Sequence, residues 1–516
     1  MKKIFKYALI GAVAVGLASC EDKLDIKQHG VLNYETYYQT DEEAESAATA
    51  MYLQMRGLAY NFYLGKNMLT DDFWAGGAQR NDNADLEQLN EFTFGTDQNF
   101  LEGMFSGYYG LIYKANVVLG HVKEDTEVMR RARAEAKVFR AWAYFELISM
   151  WGNPPLVDHE LTSSEYSQPN GKTEELWALV ETDLTEAINS GCLSEKASVT
   201  DSETWRVTKQ YAQAILGKAY LWQGKAKEAA EQFDNVVKSG LYRLFDGEYE
   251  NIWGYNYKHH CESMFESNRI YDPNNEWDNF DFFYLMLNWR TDKLNLGNTN
   301  IIYSNGYGFL VPQKGLYDAF VATEGADGYR LTQTMKTYPQ IADMGITIQT
   351  GQTMINEGLF MWKWRYEPEA AGFMGMVCHQ NARWMRYAEV LLLGAEAHLA
   401  AGNSGQALKY INEVRDRAKL APLGTVSLKD IQTEKRLELV GEGTRYQDMI
   451  RWGIAADRLK SQGEKCPVLD SNGNVKYNTY NKDASKFGFK TGKHELLPYP
   501  GTEIRLNPNI TQNPGW

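Results

Sequence analysis

A pair of helices joined by a tight glycine turn occurs twice in this chain. In residues 211–239 its marks are Ala219, Gly224, Ala229, Phe233 and Val236. In residues 387–417, Ala397, Gly402, Ala407, Ile411 and Val414 repeat those spacings at a constant offset of 178 residues. Small residues let two helices approach closely, glycine makes the turn, and a larger side chain on the second helix fills the remaining gap. One such unit cannot bury its own apolar face, so copies must stack. The repeat therefore demands a scaffold built from helical hairpins.

Stable stacks need about three copies or more, and weaker ones are present. The helix Met129–Met150, with Ala132, Ala136, Phe139, Ala143 and Leu147 on one stripe, pairs with Thr173–Asn189 across a Pro-bearing loop. Asp41–Leu58, opening on Asp41, Glu42 and Glu43 as cap and dipole match, pairs with Leu101–Val122. A further helix is expected over Leu428–Trp452. The pattern is mainly α and tetratricopeptide-like. Between 241 and 382 the helical period lapses into Asn, Asp, Gly and aromatic residues, with short β-branched runs such as Ile346-Thr347-Ile348. That segment reads as an irregular, mixed lobe inserted between scaffold parts at 20–240 and 383–516. Near the end, Asn472-Gly473 marks a hairpin between Pro467–Leu469 and Val475–Tyr477.

Residues 1–19 read as a signal peptide. Lys2, Lys3 and Lys6 precede eleven uncharged residues, Tyr7 to Leu17, and then Ala18-Ser19-Cys20. Spanning a bilayer takes roughly 20 apolar residues, so this run is too short. Removing it takes three lysines and no acid, moving the formal charge from −14 to −17. That balance excludes a basic face for nucleic acid and a polybasic grip on anionic lipid. The later cysteines, Cys192, Cys261, Cys378 and Cys466, form no C-x-x-C pair. They are expected to be free and mostly buried thiols.

Several segments together resemble the SusD/RagB family of outer-membrane nutrient-uptake lipoproteins. They are Arg133 to Leu147 running into Trp151-Gly152-Asn153-Pro154-Pro155, Arg386 to Ala397, Ile411 to Arg415, Glu434 to Asp448, Leu496 to Pro500 and Asn507 to Gly515. They run in order along almost the whole chain. One departure is visible: Gly152-Asn153-Pro154 stands where family members often carry two glycines before the proline. Ala18-Ser19-Cys20 is similar to a lipobox, which implies acylation of Cys20, and Glu21-Asp22 looks like a signal for the outer face. Acyl chains bury methylenes at roughly 0.8 kcal/mol each, so two or three anchor stably. The resemblance implies an outer-membrane, lipid-anchored protein facing the exterior. It would bind an oligosaccharide and act as a hinged lid over a SusC-like TonB-dependent transporter. A receptor for peptide or another nutrient would share the scaffold, and a surface glycosidase is the remaining rival.

Holding a neutral sugar takes flat aromatic faces and planar polar groups. Two stretches outside the repeats supply both. The first runs from Asp71 to Asn83, with Trp74 before Gly76-Gly77, then Arg80 and Asn83. The second runs from Tyr271 to Asn279 around Trp277, leading toward Trp289 and Tyr307. These six, Trp74, Arg80, Asn83, Trp277, Trp289 and Tyr307, are the candidate ligand contacts. Phe282, Phe283 and Tyr284 read as core of the inserted lobe, and Trp142, Tyr144, Phe145 and Trp222 as packing within repeats. Glu434, Arg436, Glu438, Arg445, Asp448 and Arg451 read as structural ion pairs.

An enzyme reading finds little support. It lacks a G-x-S-x-G elbow, an H-E-x-x-H helix and a Gly-rich phosphate loop. His259-His260-Cys261 is the densest potential ligand cluster, but adjacent residues on a strand face opposite ways. Asp71-Asp72 could form half of a glycosidase pair, without an identifiable partner. No cofactor is expected; calcium in the Asp/Asn-rich loop Asp272–Asp281 is the one metal left open.

Overall fold

The computed structural model describes residues 37–516. The signal segment and Cys20 lie outside the described residues. Nine helices make the scaffold: α1 (Asp41–Met68), α2 (Asn99–His121), α3 (Glu127–Trp151), α4 (Thr173–Asn189), α5 (Lys209–Trp222), α6 (Ala226–Lys238), α7 (Tyr387–Ala400), α8 (Ser404–Arg417) and α9 (Leu428–Glu438). Each packs on the next from α1 to α8, with α6 against α7 carrying the stack across the inserted segment.

Local chemistry sets the helix starts. Thr40 caps α1 in a capping box: its hydroxyl accepts from Glu43 N at 3.2 Å, and the Glu43 carboxylate accepts from Thr40 N at 3.0 Å. Ser427 and Asp430 make the same box at α9. Thr126, Thr208 and Asn403 cap α3, α5 and α8. The two clear repeats pack through small residues. An added Cβ on Gly217 of α5 would lie 2.8 Å from the Phe233 ring, and one on Gly394 of α7 3.0 Å from Tyr410. In the second repeat the ring against glycine is Tyr410, one residue ahead of Ile411, which is buried beside it.

The helix expected over Leu428–Trp452 is broken. It ends at Glu438 and resumes at Arg445–Arg451. Gly441 and Gly443 between them take φ of 77° and 75°. A Cβ on Gly441 would overlap the Trp364 indole, so a residue from the inserted segment decides the break.

That segment carries short two-stranded pairings. Ser263–Ser267 pairs antiparallel with Ala382–Arg386, tying its start to the strand that leads into α7. Phe73–Gly76 pairs with Phe309–Pro312, and Leu294–Asn295 with Thr347–Ile348. The expected hairpin forms between Lys465–Asp470 and Val475–Thr479, and its first strand also pairs with Thr353–Met354. One large core runs from Ala44 to Ile510 and includes Phe283, Tyr284, Leu285 and Phe309 of the inserted segment. A smaller satellite gathers Trp289, Ile341, Phe360, Trp362 and Leu469. Cys261, Cys378 and Cys466 are buried, Cys192 half-buried, and all four are unpaired.

Candidate functional site

Five of the six sequence candidates, Trp74, Arg80, Asn83, Trp289 and Tyr307, belong to segments joined by the pairing of Phe73–Gly76 with Phe309–Pro312 and by Arg290, which pairs with Asp82 at 3.2 Å and donates to Tyr307 O at 3.3 Å. Trp74 is buried in the strand Phe73–Gly76, opposite Val311. Its two following glycines serve packing: Gly76 and Gly77 sit at φ of 85° and 86°, and Gly77 N donates to Gly308 O at 2.7 Å. Arg80 pairs with Glu91 and with Glu87 at 3.0 Å, its guanidinium 3.7 Å from the Tyr480 ring centroid. Asn83 caps the helix Ala84–Glu91 through Leu86 N at 3.1 Å. Trp289 is buried, its indole N–H donating to Met361 O at 2.8 Å. Tyr307 is half-buried against the main core. Each of these five has a packing or pinning role, with Trp74 and Trp289 buried and Arg80 and Tyr307 keeping part of their surface open.

Trp277 differs. It is 56% exposed and stands in an aromatic group with Phe280, 48% exposed, and Phe373, 45% exposed. The Trp277 centroid lies 4.8 Å from that of Phe373 and 6.0 Å from that of Phe280. Exposed Ile270, Tyr271 and Met374 lie in the same two segments. A contiguous apolar patch on a folded surface marks an interaction site.

Buried polar contacts hold this floor in place. Arg269 is buried and ion-paired with Asp281, while its backbone N–H donates to Asn381 Oδ1 at 2.9 Å. Asp281 N donates to Met376 O at 2.7 Å, and Cys378 N to Asn279 O at 3.1 Å, joining the two segments. Asn279 Nδ2 donates to Ile270 O at 2.7 Å, and Arg56 Nη1 of α1 donates to Asn279 Oδ1 at 3.3 Å. The tight turn Gly372–Val377 puts Met374 at φ 51° and Gly375 at φ 75°, pushing Phe373 outward. Burial, and then the nearby Arg269 charge, holds the Arg56 guanidinium below its ordinary pKa. In the adjoining loop Asp272 accepts from Asn274 N at 2.8 Å and Asn275 Nδ2 at 3.1 Å. Its carboxylate thus shapes the turn. Among the described residues no group of three or more His, Cys, Asp or Glu side chains gathers as a metal site.

The sequence reading missed Phe280 and Phe373. Gly372-Phe373-Met374-Gly375 carried the readable sign, two bulky apolar residues between glycines, where a turn must expose them. The charged set at α9 and the following helix is structural. Arg436 donates to Asp72 at 2.7 Å, Arg445 bonds Asp71 through two nitrogens, at 2.5 and 2.9 Å, and Arg458 reaches Asp71 at 2.9 Å. Burial opposes ionisation of Asp71, but Arg445 and Arg436 overcome it and hold the carboxyl well below the usual range. Lys435 holds Asp448 at 2.8 Å, and Arg451 holds Glu396.

Two family profiles match the chain. Residues 345–516 match one described as the SusD family, and residues 21–221 one described as starch-binding associating with outer membrane. The chain belongs to the SusD family. A SusD-like protein of Bacteroides ovatus is 25% identical, with 99% of this chain and 97% of that protein aligned. Another, from Formosa agariphila, is 25% identical over 100% of both. A solved laminarin-binding SusD-like protein shares 27% identity at a TM-score of 0.76, covering 93% of this chain and all of that one (100%). The surface glycan-binding protein A of Bacteroides thetaiotaomicron, solved in complex with laminarihexaose, gives 0.71 at 23% identity, covering 92% of this SusD-family chain and 99% of its own. Its similarity speaks for the shared fold. No helix among the described residues is long and apolar enough to cross a membrane.

Proposed function

We propose that this SusD-family protein captures an oligosaccharide at the outer surface of the cell and passes it to a SusC-like TonB-dependent transporter. The exposed floor of Trp277, Phe280 and Phe373 carries the reading, because aromatic faces accept the C–H side of a sugar ring at little entropic cost. The laminarin-binding relative supports a glucan as the first ligand to test. A thioether-linked lipid on Cys20 would hold the body at the membrane, with the protein moving as a lid over its transporter. No bond-breaking step is assigned: Asp71 and Asp72, the carboxylates considered for a glycosidase pair, are held by Arg436 and Arg445.

The protein without its leader is expected to bind laminarin oligosaccharides in calorimetric titration. Trp277→Ala should weaken binding about tenfold, which is about 1.4 kcal/mol. Unchanged affinity in that variant refutes the site. The apolar Ile270 and Met374 beside the floor favour a second reading, capture of a peptide. A screen that yields peptide binding and no glycan binding would decide for it.

A further inference from the structure

A second cleft adjoins the aromatic floor. Its volume is about 510 Å³, and α1, the loop before α5 and the end of the strand Ser263–Ser267 enclose it. Ligand pockets typically span roughly 300–1,000 Å³, so it is large enough for sugar rings. Ile270 and Arg56 belong to its wall, and the same two residues bond to Asn279 beneath the floor. Floor and cleft therefore share a boundary.

On the far side stands Trp205. Tyr52 meets its ring edge-on at 5.0 Å, and the Arg206 guanidinium lies 4.6 Å from its centroid. Arg206 is itself anchored by Glu135 at 2.8 Å. Asp201 fixes the loop, accepting from Glu203 N at 2.8 Å and from the Thr204 hydroxyl at 2.7 Å. A ring held this firmly loses little entropy when a ligand stacks on it. Around it stand short hydroxyl and amide groups, Thr49, Ser202 and Asn268, with Glu203 and Arg56 offering opposite charges. Flat indole, small hydrogen-bonding groups and no single sign of charge suit an uncharged glycan.

We infer that the Trp205 cleft is a second sugar subsite, and that the ligand is a neutral oligosaccharide long enough to span from Trp277 to Trp205. This rests on the glycan reading of the floor. A disaccharide occupies the floor alone; longer chains cross Ile270 and gain the second stack.

The test titrates the leaderless protein with laminarin oligosaccharides from disaccharide to hexasaccharide. Affinity is expected to rise about tenfold or more with length. Trp205→Ala should abolish that rise while leaving disaccharide affinity unchanged, whereas Trp277→Ala should weaken every length. Leu53→Arg, at an exposed position on the cleft wall, should flatten the series without disturbing the Trp205 stack. A length series that stays steep in both cleft variants, or is flat in the unaltered protein, overturns the subsite while sparing the floor. Absence of any glycan response overturns the functional reading and this extension with it.

Discussion

Arg386 shows how much of this fold rests on single buried charges. It is fully buried and bonds Glu438 at 3.1 Å and Glu442 at 2.6 Å as well as Glu262, while Arg417 reaches Glu262 from α8 at 2.9 Å. Removing one partner from such a network leaves the others uncompensated, at about 3–5 kcal/mol. Arg386→Met is therefore expected to lower unfolding free energy by that amount in urea titration; a loss below about 1 kcal/mol would show the network to be dispensable. His494 gives a pH signature. It is buried among Phe92, Phe94, Phe489 and Trp516, and Nδ1 accepts from Lys490 N at 2.8 Å. Burial, then Lys493 and Lys490, push its pKa down to about 3. The unfolded chain protonates this group near about 6.5, the folded one far lower, so the unfolded state binds more protons in between. Stability contributed by the neutral ring is complete above about 6.5 and declines as pH falls toward about 3. Melting temperature should drop across that window, and His494→Gln should shallow the slope. The ionic character of Glu434 to Arg451 was readable from sequence. Its partners Asp71, Glu262 and Arg330 were not, because contacts across such separations leave no local pattern.

At the scale of elements, the repeat was readable because its cause is local: glycine and alanine at fixed spacing, a turn, and a ring to fill the gap. Two departures had non-local causes. Trp74 before two glycines read as a candidate ligand contact outside the repeats, yet Gly76 admits the backbone of Gly308 and the segment forms a buried strand. Leu428–Trp452 read as one helix because its apolar period continues through Leu439, Val440, Tyr446 and Met449, all buried. Trp364 enters at Gly441 and breaks it. A comparison of glycines isolates that effect. Gly453 also has positive φ, 68°, but an added Cβ would meet nothing within 4 Å. Gly453→Ala should cost only the backbone term, about 1 kcal/mol, and Gly441→Ala distinctly more. Equal losses in thermal unfolding would mean that the indole does not set the break. The floor was half readable: Trp277 stood out among polar residues, while Phe373 becomes a site residue only when its turn is carried beside Trp277.

At the scale of the molecule, the inserted segment 241–382 is irregular in sequence yet shares the scaffold's core. Phe283, Tyr284 and Leu285 are buried in the cluster that contains Met55 and Leu391. The strand Ser263–Ser267 is paired with the strand leading into α7, and Thr353–Met354 with the C-terminal hairpin. Separate lobes would each need a core of their own, whereas here only the satellite around Trp289 and Ile341 is distinct. In the proposed capture cycle the lid would then move as one body on its transporter, with the sugar floor fixed relative to the helical stack. Unfolding should accordingly be a single transition. Far-UV circular dichroism, dominated by the helices, and tryptophan fluorescence, to which the inserted segment contributes Trp253, Trp277, Trp289, Trp362 and Trp364, five of the fourteen indoles, should give coincident midpoints. The isolated segment 241–382 should show no cooperative melt, because its apolar side chains would face water instead of α1 and α7. Separated midpoints, or a folded isolated segment, would restore an independent lobe and with it a hinge inside the protein.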